Sequence, residues 1–161
     1  MCPTGHSIVK HVMKEEGAAL AGEMSGHLFF KDRWYGFDDA LYSACRLLEI
    51  ISEANLTVSE QFAAIPNSIN TPELKIAIAD DEKFQFMKRF NEVAEFPQAR
   101  VIAIDGLRVE FAKGWGLLRA SNTTPCLVAR FEAEDEDYLE KIQQLFKKQM
   151  HLLDDKLELP F

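Results

Sequence analysis

Four short apolar runs follow one another between Val101 and Phe131, at Val101–Ile104, Leu107–Phe111, Gly116–Ala120 and Cys126–Phe131, with only a few turn residues between them. Each run alternates or is continuously apolar over strand length, and Asp105-Gly106 supplies a hairpin turn between the first two. Links this short join antiparallel neighbours, because a parallel pair needs a crossover of about a dozen residues or more. Another strand is expected at Leu74–Ala79. Helical patterns flank the runs: Glu82–Ala94 repeats Phe84, Met87, Phe90 and Val93 on one face, and Asp135 to Leu152 repeats Leu139, Ile142, Leu145, Phe146 and Gln149. This order predicts an α+β fold, a mainly antiparallel sheet with helices packed on one face and loops free at one end.

Residues 1–66 read differently. Ser7–Glu16 carries Ile8, Val9, Val12 and Met13 at helical spacing, and Gly17 stops it. Strands are expected at Ala18–Gly22 and Leu28–Phe30, with Glu23–His27 as the loop between them. Asp38 and Asp39 suit a helix start, and Leu41, Ala44, Cys45, Leu48 and Ile51 form the expected buried stripe of a helix reaching Ala54. Ser59–Ala64 adds a short turn. The stretch Ile65–Pro72 holds two prolines and several turn formers, which places a domain boundary there and divides the chain into residues 1–66 and 67–161.

With 47% hydrophobic and 27% charged residues the chain has material for a core. Its net charge of −8 includes no basic patch or tail, which argues against nucleic acid as a partner. No apolar run reaches the roughly 18 residues of a membrane span, and no signal-peptide pattern is present. Cys2, Cys45 and Cys126 show neither paired spacing nor histidine companions, so a reduced, cytoplasmic setting is expected.

Chemistry concentrates in Gly114–Pro125, where an apolar run delivers Arg119 into Ser121, Asn122, Thr123 and Thr124. A guanidinium engages two phosphate oxygens at once, and small hydroxyl and amide side chains add neutral hydrogen bonds. On the residues alone this string is equally a solvated hairpin corner. The acidic run Glu134–Asp137 is read as carboxylates at a helix N-terminus rather than a metal site. Trp34 and Tyr35 are read as packing residues beside Phe37, and Lys10 and Lys31 as solvated.

Two further motifs, Gly22-Glu23-Met24-Ser25-Gly26-His27 and Thr4-Gly5-His6, combine with Arg119–Pro125 into a pattern that resembles the α-D-phosphohexomutases, and within them the bacterial phosphomannomutase/phosphoglucomutase branch. The sister phosphoglucosamine mutases usually carry GEQSGH and SGTEP at the corresponding places. The likeness runs through Phe29–Asp39 to Leu159-Pro160-Phe161.

The resemblance implies a four-domain enzyme, of which residues 1–66 are the C-terminal portion of the third domain, an α/β tail bearing the sugar-recognition loop. Residues 67–161 are then the C-terminal domain with the phosphate-binding loop. The phosphoserine and metal loops belong to the first two domains, and neither pattern occurs here, so the Mg²⁺ ligands are expected outside this chain. Met1-Cys2-Pro3 stands where the family has a basic residue before Thr-Gly-His, which reads as a truncation and predicts uncovered strand edges and apolar surface in residues 1–66.

By resemblance Arg119, Ser121, Asn122 and Thr123 hold the substrate phosphate, and Glu23 and Ser25 hold sugar hydroxyls. His6 and His27 serve as auxiliary acid/base or orienting groups. The implied reaction interconverts hexose 1-phosphate and hexose 6-phosphate through an enzyme phosphoserine, with hexose 1,6-bisphosphate as intermediate and activator. Implied partners are phosphohexose substrates and the missing N-terminal domains of the same enzyme. The other reading is a non-catalytic phosphosugar-binding or orphan truncated module. Isolated from the phosphoserine, the chain is expected to lack mutase turnover.

Overall fold

Gly17 ends the first helix, α1 (His6–Glu16), by turning left-handed at φ 64°, and the chain then forms a hairpin of β1 (Leu20–Gly22) and β2 (Leu28–Phe30) with Leu20 opposite Phe30. These elements open the computed structural model, which describes all residues 1–161 and divides into two compact units, Met1–Pro66 and Asn67–Phe161. The core of the first unit is small: Val9 and Met13 of α1 pack with Phe29 of β2.

The helix α2 (Ala40–Glu53) starts at Asp39, whose carboxylate accepts from Tyr42 N at 2.9 Å. Trp34 stacks on Tyr42 with ring centroids 4.6 Å apart, and the Arg46 guanidinium lies 4.7 Å from the Phe30 ring centroid. Arg33 grips Glu49 with both terminal nitrogens, while Arg46 reaches Asp32 and Glu49. The expected buried stripe is therefore corrected. No residue of α2 is buried, and Leu41 and Leu48 are 82% and 63% exposed. The helix meets Phe30 of β2 through Tyr42 and Arg46 and the following Arg33 through Glu49, a face spaced four and three residues apart, so its aliphatic stripe lies on another face. The short helix α3 (Val58–Ala63) begins with a capping box between Thr57 and Glu60.

In the second unit, β3 (Ile69–Asn70) and β4 (Leu74–Ala77) precede α4 (Lys83–Val93), followed by β5 (Arg100–Ile102), β6 (Leu107–Phe111), β7 (Gly114–Ala120), β8 (Cys126–Ala133) and α5 (Glu136–His151). All pairings are antiparallel; β8, β7, β6 and β5 lie side by side, and both β3 and β4 pair with the other edge of β8. The strand β3 falls in a stretch read from sequence as turn formers. Two residues are too few to alternate visibly, and the pairing is fastened by Thr71, whose N–H donates to Phe131 O at 2.9 Å and whose hydroxyl accepts from Phe131 N at 3.1 Å.

Leu107, Val109, Leu118, Leu127, Ala129 and Phe131 share one sheet face and pack against Phe86, Met87 and Phe90 of α4 and Ile142, Phe146 and Met150 of α5. Gly116 lies opposite Phe131, and a Cβ there would fall 2.5 Å from the Phe146 ring. The expected face of α4 is rotated. Phe84 and Val93 are exposed, and Phe86 and Lys83 are buried in their place. Phe86 stacks with Phe90 one turn later at 6.1 Å between centroids, which sets the helix on its 83–86–87–90 face. On α5 Leu145 is also exposed and Met150 fills the core, while Gln149 clasps Glu95 through its backbone N–H and carbonyl. Asp135 caps α5 by accepting from Tyr138 N, with Glu136 and Asp137 in the first turn.

Candidate functional site

The candidate residues fall on both units, four in each. In the second unit Arg119 is the penultimate residue of β7, paired across the sheet with Val128, and its side chain is half-exposed. The ion pairs of this unit join Lys83 to Asp80, Arg100 and Arg108 to Glu110, and Lys113 to Asp135, and none engages Arg119. Gly106, at φ 79°, lets the β5–β6 turn press against this end of β7, since a Cβ there would lie 2.5 Å from Arg119 Cβ.

The β7–β8 loop is organised from within. Ser121 Oγ accepts from Thr123 N at 3.3 Å and Thr124 N at 3.1 Å, and lies 2.7 Å from Thr124 Oγ1. Ser121 N donates to Cys126 O at 3.0 Å, closing the base of the loop. Ser121 is buried, whereas Asn122, Thr123 and Thr124 are exposed. The hydroxyl expected to face a phosphate therefore turns inward as the post that shapes the turn. Outward-facing chemistry comes from Arg119, Asn122 and Thr123, a guanidinium with neutral donors. Thr124 belongs to the string but is not among the expected phosphate ligands, and its part is to build the loop. Its hydroxyl completes the network with Ser121 and reaches Cys126 Sγ at 3.1 Å, and its place three residues after Ser121 is the signal that could have shown this.

In the first unit the β1–β2 loop is a tight turn, with Gly26 N donating to Glu23 O and Glu23 N to His27 O, both at 2.9 Å. The Glu23 carboxylate accepts from Gly5 N at 3.2 Å and from the Ser25 hydroxyl at 3.4 Å. Glu23, Ser25 and the Gly5–His6 turn are thus brought together, with His6 exposed at the start of α1. His27 is exposed and its Nδ1 lies 2.7 Å from Asp38 Oδ2. Since a carboxylate accepts, the proton sits on Nδ1, and neutral His27 offers Nε2 as its acceptor. By sequence Asp38 suits a helix start. Asp39 alone caps α2, and Asp38 orients the imidazole; the doubled aspartate, where one suffices for a cap, was the available clue.

No cluster of three or more His, Cys, Asp or Glu side chains is placed to hold a metal ion. A guanidinium with hydroxyls and an amide suits an anion, so Mg²⁺ does not fit the residues present. No helix is long and apolar enough to cross a membrane.

Comparison with known proteins agrees along the whole chain. Residues 1–69 match the family model described as phosphoglucomutase/phosphomannomutase, alpha/beta/alpha domain III, and residues 73–149 match the one described as phosphoglucomutase/phosphomannomutase, C-terminal domain. A phosphomannomutase/phosphoglucomutase of Pseudomonas aeruginosa is 50% identical over 161 residues, covering all of this chain and 35% of the relative. A phosphoglucomutase of Neisseria meningitidis is 54% identical over 146 residues, covering 89% of this chain and 32% of the relative. Among solved structures, a phosphoglucomutase/phosphomannomutase family protein from Burkholderia thailandensis superposes with a TM-score of 0.91 at 46% identity, covering all of this chain and 34% of that one. The chain thus spans about a third of the length of these relatives. With both of its units matched in sequence and fold, the chain belongs to the phosphoglucomutase/phosphomannomutase family, as part of its C-terminal region.

Proposed function

We propose that this chain is the substrate-holding part of a phosphomannomutase/phosphoglucomutase, which interconverts hexose 1-phosphate and hexose 6-phosphate. In that reaction an enzyme phosphoserine gives its phosphoryl group to the free hydroxyl of the sugar phosphate, forming hexose 1,6-bisphosphate. The intermediate turns round, and its other phosphate returns to the serine. Neither the phosphoserine nor the Mg²⁺ ligands are among the residues assigned here, and the preceding domains of the same enzyme are their proposed source. Three free thiols, one of them the exposed Cys45, accord with a cytoplasmic setting.

The observation that carries this reading is Arg119, outside every ion pair of its unit, beside a loop whose turn is fixed from inside by Ser121. Its chemistry reads phosphate oxygens and not the position of the phosphate on the ring, as a substrate that binds in two orientations requires. Asn122 and Thr123 add neutral hydrogen bonds. Glu23, with Ser25 beside it, accepts from sugar hydroxyls. His27, oriented by Asp38, offers Nε2 to take or return a proton, and His6 serves the same end of the sugar phosphate. Positioning and charge neutralisation dominate phosphoryl transfer, so these roles are substantial without covalent chemistry.

The test is an NMR titration of the 161-residue chain with glucose 1-phosphate, following the amides of residues 119–124. Saturable shifts abolished by Arg119→Ala support the reading. A folded chain with no shifts at millimolar ligand overturns it for this chain alone. Mutase assays on the same sample are expected to show no turnover.

A further inference from the structure

Lys83 is the first residue of α4 and only 2% exposed. Two features make that placement costly. An ammonium withdrawn from water needs compensation, and a cation in the first turn of a helix opposes the macrodipole, in a turn that carries no acidic residue of its own. Methionine would fill the same space without either penalty. Where a residue breaks local rules this way, a role beyond packing is the physical expectation.

Its partners indicate the role. Lys83 Nζ donates to Asp80 Oδ1 at 2.6 Å and to the backbone carbonyl of Thr124 at 3.0 Å. The Asp80 side chain is 74% exposed, so it folds back onto the ammonium from a position that solvent alone would satisfy. The Thr124 carbonyl already accepts from Cys126 N at 2.9 Å, so Lys83 is not needed to satisfy it. What Lys83 adds is a buried positive charge fastened to the residue whose hydroxyl holds Ser121, and through Ser121 the amides of Thr123 and Thr124.

We infer that Lys83, latched by Asp80, is a positioning residue for the β7–β8 phosphate loop. It pins Thr124 so that the turn is preformed, leaving Arg119 as the cation that meets the ligand. The inference rests on the phosphosugar reading of that loop. A chain of net charge −8 repels a sugar phosphate at long range, so the local cation Arg119 must offset that field from a loop already held in its binding shape. The ligand class it serves is a phosphate monoester.

Lys83→Met, which removes charge and donor, and Lys83→Gln, which keeps a donor without the charge, test this on the 161-residue chain. Amide hydrogen exchange at Thr123 and Thr124 is expected to quicken about tenfold in Lys83→Met, with the rest of the second unit unchanged. The dissociation constant for glucose 1-phosphate is expected to rise about tenfold or more, the loss typical of a hydrogen bond to a charged group, with Lys83→Gln between it and wild type. A merely structural lysine would alter the melting temperature and leave both readouts at their wild-type values in the folded protein, which overturns the proposal. Should wild type bind no glucose 1-phosphate, the phosphosugar reading fails for this chain and exchange alone decides the latch: faster exchange upholds it and unchanged exchange overturns it. Should Lys83→Met not fold, Asp80→Asn at its exposed position carries the same exchange test, and an unchanged loop again overturns it.

Discussion

Ser121 Oγ and Thr124 Oγ1 lie 2.7 Å apart, closing a hydroxyl pair inside the loop that links β7 to β8. Because Ser121 Oγ also accepts two backbone amides, removing it leaves those amides without a partner in a half-buried turn. Ser121→Ala is expected to destabilise the second unit by about 1–2 kcal/mol and to weaken glucose 1-phosphate binding without removing any outward-facing donor. Urea unfolding followed by Trp115 fluorescence, in a Trp34→Phe background that leaves one tryptophan, measures the first effect.

Gly106 sits at φ 79° with the carbonyl of Leu118 only 2.2 Å from where a Cβ would be. Both the conformation and the space exclude a side chain. Gly106→Ala is expected to cost at least about 2 kcal/mol, and, because Arg119 is the other neighbour, to shift its amide resonance in the folded fraction.

Phe146 is fully buried and meets the rings of Phe90, Phe96 and Phe131 at centroid distances of 6.2, 4.8 and 5.3 Å. It joins α4, α5 and the sheet in one cluster. Phe146→Ala is expected to cost about 3–5 kcal/mol, and Phe146→Leu distinctly less, by the same unfolding measurement.

The first unit has its own acid dependence. The Arg33 side chain holds the Glu49 carboxyl below its ordinary value of about 4.5, with Arg46 contributing. A carboxyl whose folded value is depressed stabilises the fold fully above its unfolded value, and that stability is lost as pH falls through the folded value. The first unit should therefore weaken below pH 4.5, and Glu49→Gln should flatten that acid limb while lowering stability at pH 7. Melting temperature against pH, read from NMR signals of α2, distinguishes these outcomes. Glu60, held low by the Thr57 side chain, adds to the wild-type slope and persists in the mutant.

The strands from Leu107 to Phe131 are legible in sequence because alternation over short, tightly linked runs has few other solutions, and Asp105-Gly106 announces its own turn. Helix existence was equally readable, but helix orientation was not. Periodicity on α4 admits Phe84 or Phe86 as the inward phenylalanine, and the choice belongs to the stack with Phe90 and to the tie of Lys83 to Thr124, a residue some forty positions away. On α2 the aliphatic stripe reports what the helix can bury, while its neighbours in the first unit use the Tyr42–Arg46–Glu49 face instead. At the candidate site the residue types were readable and their directions were not. A serine in a turn can face solvent or cap its own backbone, and only the closed geometry of the loop turns Ser121 inward. Asp38 escaped for a similar reason, since its bond to His27 spans a whole strand and loop.

Both β3 and β4 join the sheet along β8, with Ile69 opposite Ala133 and Leu74 opposite Ala129. Strands β6, β7 and β8 follow one another through short turns and can zip together locally, whereas β3 and β4 meet β8 only after closing loops of roughly fifty to sixty residues. Topology thus predicts an order of events. The β6–β8 meander is expected to form early, and the contact of Lys83 with Thr124 late, with β4 and α4. Kinetic mutants should separate the two, with Leu118→Ala slowing folding and Ile76→Ala chiefly accelerating unfolding. A loop that forms before its latch would pass through a looser stage on the way to the native turn.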